Sequence, residues 1–374
     1  MIMKMDLSGE ENNFENKDLT ANNIHFCNYK ELGRLLNGKY KPGSNDFILT
    51  DSNTHRYCLP VIDELFPELR TEQVVTILAG EQNKNAENLE FIWKTLLAGG
   101  TGRNSRLYCL GGGMVTDIGG FAAATFMRGI RFIHIPTSLI GMADASVGGK
   151  TAINLNGAKN VAGAFALPEA VLSCPVFLDT LPNDEFLSGF GEIVKISLVT
   201  GAAFWDKVRR TSVANLTGKR NDELAILISQ AIKAKASIAF QDLKDTGVRQ
   251  RLNFGHTIGH AMEELAFKKG NPVKHGFAVA SGMICESYLS MKQAGLAADA
   301  HQTIESYLKE NFPLIKLTTE DIPMVMSNLF HDKKKIEGNN RFSLLKSPGH
   351  CMHGIEINDS LIEESLQEYL HIHR

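Results

Sequence analysis

Two histidines in the segment NFGHTIGH, residues 253 to 260, have the residue type and spacing that most directly indicate chemistry. On a helix, His256 and His260 are four residues apart and lie on one face, where two imidazoles can surround one metal ion. The HExxH pattern of zinc proteases is absent, because threonine follows the first histidine. Each histidine alone could be a core residue bonded to backbone, but the neighbouring Asn253 favours a site. We therefore expect the segment to form one wall of a metal-centred active site.

A glutamate and a third histidine could complete that centre. Glu192 and Lys195 lie three residues apart in the apolar helical run GFGEIVKISLV, so both project from one face. Buried charges are costly unless they are paired or bind metal, so these two are either an ion pair or site residues. His275 opens the next helix and could reach the same centre as His256. Glu192, His256 and His275 would be an open O/N/N ligand set, suited to catalytic zinc, cobalt or another divalent ion.

Two glycine-rich segments could bind anions. The strand-like LYCL runs into three glycines at 111 to 113, and Asp117 follows at the start of a helix. Glycines there let backbone N–H groups approach a pyrophosphate, although a tight turn without a ligand would have the same sequence. The second segment, DASVGGKTAINLNGAKN at 144 to 160, is expected to be loop-like. Its lysines suit a phosphate or carboxylate, and the alternative is a solvated basic loop. Its polar residues are Asp144, Lys150, Asn154, Lys159 and Asn160.

The elements that position these residues divide the chain into two parts. From about residue 46 to 180, β-rich runs alternate with helix-like stretches and predict a parallel α/β sheet; the clearest runs are DFILTD, VVTILAG, RLYCLGGG and IRFIHIPTSL. After Pro182 the apolar period becomes helical, and Asn183 is expected to cap the next helix. We predict domains at 1–180 and 181–374 with a cleft between them.

Composition excludes several classes of protein. The 374 residues are 43% hydrophobic and 22% charged, as in an average globular protein, and a net charge of −3 gives no footprint for nucleic acid. Six scattered cysteines suggest neither disulfides nor a thiolate zinc site, which fits a reducing cytoplasm. The polar N-terminus is unlike a signal peptide, and no apolar run approaches the roughly 18 residues of a membrane span.

Several motifs together resemble the 3-dehydroquinate synthase family in order and spacing, over roughly residues 45 to 350; the first 40 residues or so match little. The motifs are GGGMVTD, ATFMRG, PTSL, DASVGGKTAIN, GAKN, GEIVK, GVRQRLNFGHTIGHA, HG.AV and HDKK. The resemblance implies a Rossmann-like NAD-binding α/β domain, then an all-α metal-binding domain, with the active site in the cleft. It also implies a homodimer, in which Arg128 reaches the neighbouring subunit's site.

The resemblance also assigns roles to individual residues. It implies that the metal ligands are Glu192, His256 and His275. It implies that substrate phosphate is bound by Lys150, Asn160, Arg249, Asn253, His260 and a lysine of the HDKK run, taken as Lys333. The substrate hydroxyls and carboxylate are expected at Asp144, Lys195 and Lys235. NAD is expected at Asp51, Asn53, Glu81, Lys84, Gly112, Gly113, Asp117, Thr137, Ser138, Lys159 and Thr180.

The implied reaction converts the sugar phosphate 3-deoxy-D-arabino-heptulosonate 7-phosphate to 3-dehydroquinate and phosphate, with NAD used and regenerated. The chain departs from the family pattern at Phe277, Asp245 and Ile196-Ser197, none of which is an expected ligand. Three alternatives stay open: a cyclase for another phosphorylated ketose, a metal-dependent polyol dehydrogenase, and a catalytically silent homologue.

Overall fold

The computed structural model of the chain describes residues 23–68, 70–216, 222–331 and 340–372. The expected phosphate ligand Lys333 lies outside the described residues, together with the first 22 positions. Within the described part of the chain, no helix is long and apolar enough to cross a membrane.

A six-stranded sheet organises the first half of the chain. Its spatial order is β1-β8-β5-β4-β2-β3, and each neighbouring pair is parallel. The strands are β1 Ile24–Phe26, β2 Phe47–Asp51, β3 Val74–Ile77, β4 Arg106–Gly111, β5 Arg131–Pro136 and β8 Ala170–Ser173. Strand β1 lies in the N-terminal stretch where the sequence analysis found no usable pattern. The predicted parallel α/β sheet is confirmed.

Both faces of this sheet are covered, which is why its central strands are apolar at successive positions. Side chains alternate between the faces: Leu107 and Cys109 of β4 pack on one side, while Tyr108 and Leu110 pack on the other. The helices of this half are α1 Tyr29–Asn37, α2 Ser52–Tyr57, α3 Leu59–Leu65, α4 Ala86–Ala98 and α5 Gly113–Thr125.

The second half is mainly helical. Its helices are α6 Asn183–Thr200, α7 Ala202–Arg210, α8 Val213–Leu216, α9 Asp222–Ala239, α10 His256–Lys268, α11 His275–Gln293, α12 Ala298–Asn311, α13 Ile322–His331 and α14 Asp359–His371. An antiparallel hairpin, β9 Asn340–Ser347 with β10 His350–Ile357, adds to the expected all-α domain. The sequence predicted Asn183 as the N-cap of α6, and this prediction is wrong: Pro182 is the N-cap and Asn183 is the first helical residue.

The segment 144 to 160 is not the loop that its glycines suggested. It begins in the π-helical turn Gly141–Ala145 and continues as an antiparallel hairpin, β6 Lys150–Leu155 with β7 Ala158–Phe165. Asn156 and Gly157 both have positive φ, 50° and 82°, at the two-residue turn between these strands. Such a dipeptide is the sequence signal for a tight hairpin.

Candidate active site

The side chains that could bind a metal ion lie together where helices α6, α10 and α11 meet. Glu192 is completely buried, and its Oε1 lies 3.5 Å from His256 Nε2 and 3.2 Å from His275 Nε2. Candidate ligand nitrogens of His256, His260 and His275 lie within 4.8 Å of one another. The structure therefore brings together one carboxylate and three imidazoles that are separated by up to 83 positions in the sequence.

The electrostatics of this cluster keep Glu192 ionised and His256 neutral. Burial would raise the pKa of Glu192, but Lys195 and the two nearest histidines hold it well below its usual range. Burial lowers the pKa of His256 well below its usual value, so its ring is neutral and has a lone pair to donate. Burial also opposes charge on His275, but Glu192 and Glu263 outweigh it and raise the pKa of His275 to about 10.

Glycines allow the ligand-bearing helices to approach closely. A Cβ at Gly282 of α11 would lie 2.1 Å from the Gly255 carbonyl oxygen and 2.5 Å from the Gly259 nitrogen. A Cβ at Gly276 would lie 1.9 Å from the carbonyl oxygen of Ser188 on α6. Since real Cβ contacts are essentially never below 3.0 Å, these positions require glycine. The backbone contacts set the separation of the three helices, and hence of the histidines.

Two buried lysines and an aspartate lie beside the cluster. Lys195 Nζ is 2.7 Å from Glu192 Oε2 and 3.5 Å from Asp144 Oδ1. Lys235 Nζ is 2.8 Å from the same Asp144 oxygen and donates to the Asp144 carbonyl oxygen at 2.5 Å. Burial lowers the pKa of Lys235 to about 8, although Asp144 partly compensates. Of the two alternatives for Glu192 and Lys195, an ion pair or site residues, the structure shows the ion pair, and both residues also border the histidines.

The expected phosphate-binding side chains are divided between the β6–β7 hairpin and the helical half of the chain. Arg249, in the 3₁₀-helix Val248–Asn253, is buried and donates to the Gly148 carbonyl oxygen at 2.8 Å. Lys150, at the start of β6, pairs with Asp245, one of the departures from the family pattern. Asn253 and His260 are exposed on the helical side.

The tip of the β6–β7 hairpin carries two further candidates. Lys159 Nζ reaches across to Glu263 Oε1 of α10 at 2.8 Å, which links the two halves of the chain. Asn160, expected at the phosphate, accepts a hydrogen bond from Lys84 Nζ at 2.7 Å. The same Lys84 lies 3.0 Å from Asp117 Oδ2 and 2.9 Å from Glu81 Oε1. Asn160 therefore lies in the group of residues expected for NAD.

The other residues expected for NAD follow the carboxyl ends of the parallel strands. Asp51 ends β2 and caps α2 by accepting from the Asn53 and Thr54 backbone. The glycines at 111 to 113 join β4 to α5, whose N-cap, Gly112, supplies no capping side chain. The chain order reverses between β2 and β4, and ligands of open α/β sheets bind at such a switch point.

Three hydroxyl residues lie near this edge. Thr137 and Ser138 follow β5, and Ser138 Oγ accepts from the Gly141 backbone at 3.1 Å. The hydroxyls of Thr137 and Thr180 contact the Cys58 thiol; burial nevertheless raises the pKa of that thiol to about 12. Thr180, at the end of the 3₁₀-helix Pro175–Thr180, is thereby brought to the same edge as Thr137.

Arg128 is separate from the groups above. It lies exposed after α5, in the turn Met127-Arg128-Gly129, and has a left-handed φ of 67°. Among the described residues it forms no hydrogen bond or ion pair with the cluster. A non-glycine residue in this conformation is uncommon and holds the side chain on an exposed turn.

Sequence reasoning missed several residues that support the site. Glu263 contacts both Lys159 and His275, with its Oε2 3.5 Å from His275 Nδ1. Ser188 accepts from the Gly276 backbone at the start of α11. These contacts join residues 12 to 104 positions apart, so no local motif indicates them. The spacing of Glu263 three residues after His260 is the one signal that places it on the same face.

Two solved cyclases share this fold, in which a parallel α/β half is joined to a helical half. The chain aligns with 2-deoxy-scyllo-inosose synthase complexed with carbaglucose-6-phosphate, NAD⁺ and Co²⁺: TM-score 0.80, 24% identity, 92% of this chain and 96% of that one. The chain also aligns with 2-epi-5-epi-valiolone synthase from Streptomyces hygroscopicus with NAD⁺ and Zn²⁺ bound, with a TM-score of 0.81 and 23% identity. This alignment covers 93% of this chain and 96% of that one. The fold is thus that of the dehydroquinate synthase-like cyclases.

Sequence comparison gives the family within this class. Models of the N-terminal and C-terminal parts of 3-dehydroquinate synthase match residues 74–188 and 189–335. A 3-dehydroquinate synthase of Parabacteroides distasonis is 40% identical over 328 residues, which cover 88% of this chain and 91% of that protein. The chain belongs to the 3-dehydroquinate synthase family.

Proposed function

We propose that the chain is a 3-dehydroquinate synthase, which converts 3-deoxy-D-arabino-heptulosonate 7-phosphate to 3-dehydroquinate and phosphate. The observation that carries the proposal is the buried Glu192 facing His256 and His275, with Lys195 and Lys235 alongside. This arrangement joins a cation-binding centre to a cationic pocket for a carboxylated, phosphorylated sugar. Family membership independently supports this activity over a cyclase for a different ketose.

The residues fit a divalent metal ion. Neither oxygen of the Glu192 carboxylate accepts a well-aligned hydrogen bond from any described residue, although Lys195 Nζ is close. A buried carboxylate lacking such a partner, beside neutral imidazole, is a donor set that zinc or cobalt accepts. We assign Glu192, His256 and His275 as ligands. We assign His260, which is exposed on the same face of α10 as His256, to phosphate binding.

The residues at the sheet edge also fit NAD. Gly112 leaves the first N–H groups of α5 without a local side-chain acceptor, as a pyrophosphate site requires. A Cβ at Gly113 would come within 3.3 Å of Ala145, so a larger residue would crowd the turn. Glu81 and Asp117, which pair with Lys84, have carboxylate oxygens beside this turn that can accept hydrogen bonds from ribose hydroxyls.

When bound, NAD would supply transient oxidation of a ring alcohol, and a divalent ion held by Glu192, His256 and His275 would supply Lewis-acid chemistry. Asp144, Lys195 and Lys235 orient the substrate through its hydroxyls and carboxylate. The phosphate is held until it departs by Lys150, Asn160, Arg249, Asn253 and His260, with Lys333 as a further proposed contact. The departing phosphate can itself take the proton, so the protein mainly fixes orientation.

We infer a homodimer located in the cytoplasm. The exposed turn that presents Arg128 supports a role for this residue at a neighbouring subunit's site. Six free cysteines, all of them buried, support a reducing compartment. Sedimentation of the purified protein tests the dimer. Activity recovered by mixing Arg128→Ala with a site variant such as Glu192→Gln would show that the subunits share a site.

A phosphate-release assay tests the proposed activity. The purified protein, with NAD and zinc, should release phosphate from 3-deoxy-D-arabino-heptulosonate 7-phosphate but not from sedoheptulose 7-phosphate. The opposite preference would assign the chain to another cyclase. The matched variant is Lys235→Met, which keeps most of the length of the side chain, removes its charge beside Asp144, and should slow release about 100-fold or more.

A further inference from the structure

Helix α10, which carries His256 and His260, follows an N-cap residue that has no side chain to accept the first N–H groups of the helix. Its N-cap is Gly255, which has a left-handed φ of 79°. A Cβ there would lie 2.4 Å from Met283 Cγ and 3.0 Å from the Val279 carbonyl oxygen. Both the conformation and the lack of space exclude the serine, threonine or aspartate that usually accepts the first N–H groups of a helix.

Glu286, on α11, accepts those N–H groups instead. Its side chain is completely buried; Oε2 accepts from the Gly255 backbone at 2.7 Å, and Oε1 accepts from the Ile258 backbone at 3.0 Å. These are the N-cap and N3 donors that a local capping box would satisfy with two separate side chains. One carboxylate from a neighbouring helix satisfies both.

The negative charge of Glu286 also suits this position. The N-terminus of a helix carries a partial positive charge, and hydrogen bonds to a carboxylate are stronger than those between neutral groups. Burying a carboxylate is costly, so this arrangement is retained only where these interactions compensate for the loss of water. Both N–H groups flank His256: Gly255 precedes it directly, and Ile258 follows two positions later.

We propose that Glu286 is a positioning residue for the metal centre: it fixes the first turn of α10 and thereby places His256 opposite Glu192 before metal binds. This inference rests on the proposed function of His256 as a metal ligand. Because Glu286 contacts backbone amides rather than the histidine ring, it acts by setting the position of the helix end.

The test measures zinc binding by the metal-free full-length protein, in competition with a chromophoric chelator. In Glu286→Gln the amide has nearly the same shape, but its NH₂ group faces one of the two N–H donors. We expect zinc to bind about 10- to 100-fold more weakly, as when groups that orient metal ligands are lost. The visible absorption of the Co²⁺-loaded variant should also change, because the ligand geometry changes.

Ser290→Ala is the matched control. Ser290 lies one turn further along α11 and is also buried; its hydroxyl accepts from the Leu345 backbone at 2.9 Å and donates to the backbone carbonyl oxygen of Glu286 at 2.6 Å. Its loss removes hydrogen bonds that do not involve α10 and leaves the Glu286 carboxylate in place, so it should lower Tm without weakening zinc binding. Equal zinc affinity in Glu286→Gln and the wild type would overturn the proposal, as would equal weakening in both variants.

A measurement on the wild type keeps the proposal testable if Glu286→Gln fails to fold. Hydrogen exchange of the metal-free protein should leave the Gly255 and Ile258 amides protected, since the cap needs no metal. Exchange of both at solvent rates in the metal-free protein would contradict it. If the wild type bound no zinc at all, the metal centre itself would be wrong, which is a different result from unchanged affinity in the variant.

Discussion

Adding one methyl group at Gly282 should damage the metal centre. A Cβ at this position would lie 2.1 Å from the Gly255 carbonyl oxygen, and 3.0 Å is the shortest separation that real Cβ atoms show. In Gly282→Ala, α10 and α11 must therefore separate by at least 0.9 Å at this point. His256 directly follows Gly255, so the same movement displaces a metal ligand.

The magnitude follows from that displacement. A misplacement of about 1 Å in a catalytic site costs about 100-fold in rate, so kcat/KM should fall to that extent. Overpacking of this kind also lowers the free energy of unfolding by about 1–3 kcal/mol. Both effects arise at the helix contact, so zinc affinity should fall together with kcat/KM.

The assay combines phosphate release, zinc titration and urea unfolding. Gly102→Ala is the control: a Cβ at Gly102 meets no atom within 4 Å, and its φ is not positive. It should keep wild-type values in all three measurements. Wild-type kcat/KM and zinc affinity in Gly282→Ala would refute the argument that the close helix contact sets the ligand geometry.

Three further predictions concern other residues. Glu263→Gln should weaken zinc binding about 10-fold or more in chelator competition, because it removes a carboxylate that orients His275. Lys84→Met should weaken NAD binding about 10-fold in fluorescence titration, since it leaves Asp117 without its buried partner. Burial lowers the pKa of His134 from 6.5 to about 3, so only the unfolded chain gains this proton near pH 5. Stability from this group is complete above its unfolded pKa and falls as pH decreases; in urea unfolding, it should contribute a loss of about 2 kcal/mol between about pH 7.5 and about pH 5.

Each of these has an outcome that would contradict it. Unchanged zinc affinity in Glu263→Gln would mean that the contact with His275 has no orienting effect. Unchanged NAD affinity in Lys84→Met would remove this lysine from the cofactor site. The variant His134→Leu should lose the acid-dependent part of the stability, whereas the exposed-site control His350→Gln should keep it; identical pH dependence in both would refute the assignment.

The parallel sheet could be predicted because its signal is local. Strands β2, β4 and β5 are apolar runs bounded by turn residues, and burial on both faces gives that pattern. The sequence predicts a loop in place of the β6–β7 hairpin because glycines and asparagines are typical of loops, although Asn156-Gly157 is a hairpin turn. The first strand is three residues long and gave no periodic signal.

The candidate site was predictable to a different degree. His256 and His260 have helical spacing, Glu192 and His275 were candidates from their residue types and positions, and the family resemblance implied the same ligand set. Contacts such as Glu286 with Gly255 depend on how two helices cross, which local periodicity does not specify. The pairing of Asn160 with Lys84 likewise depends on where the hairpin meets the sheet.

The central claim is tested most directly by following phosphate release and absorbance at the NADH maximum together in one reaction. With 3-deoxy-D-arabino-heptulosonate 7-phosphate, NAD and zinc, phosphate should accumulate while the absorbance stays flat, because the hydride returns to the substrate in each turnover. Chelation of the metal should stop release, and added zinc should restore it. Absorbance that rises steadily without phosphate would instead identify a polyol dehydrogenase and contradict the account.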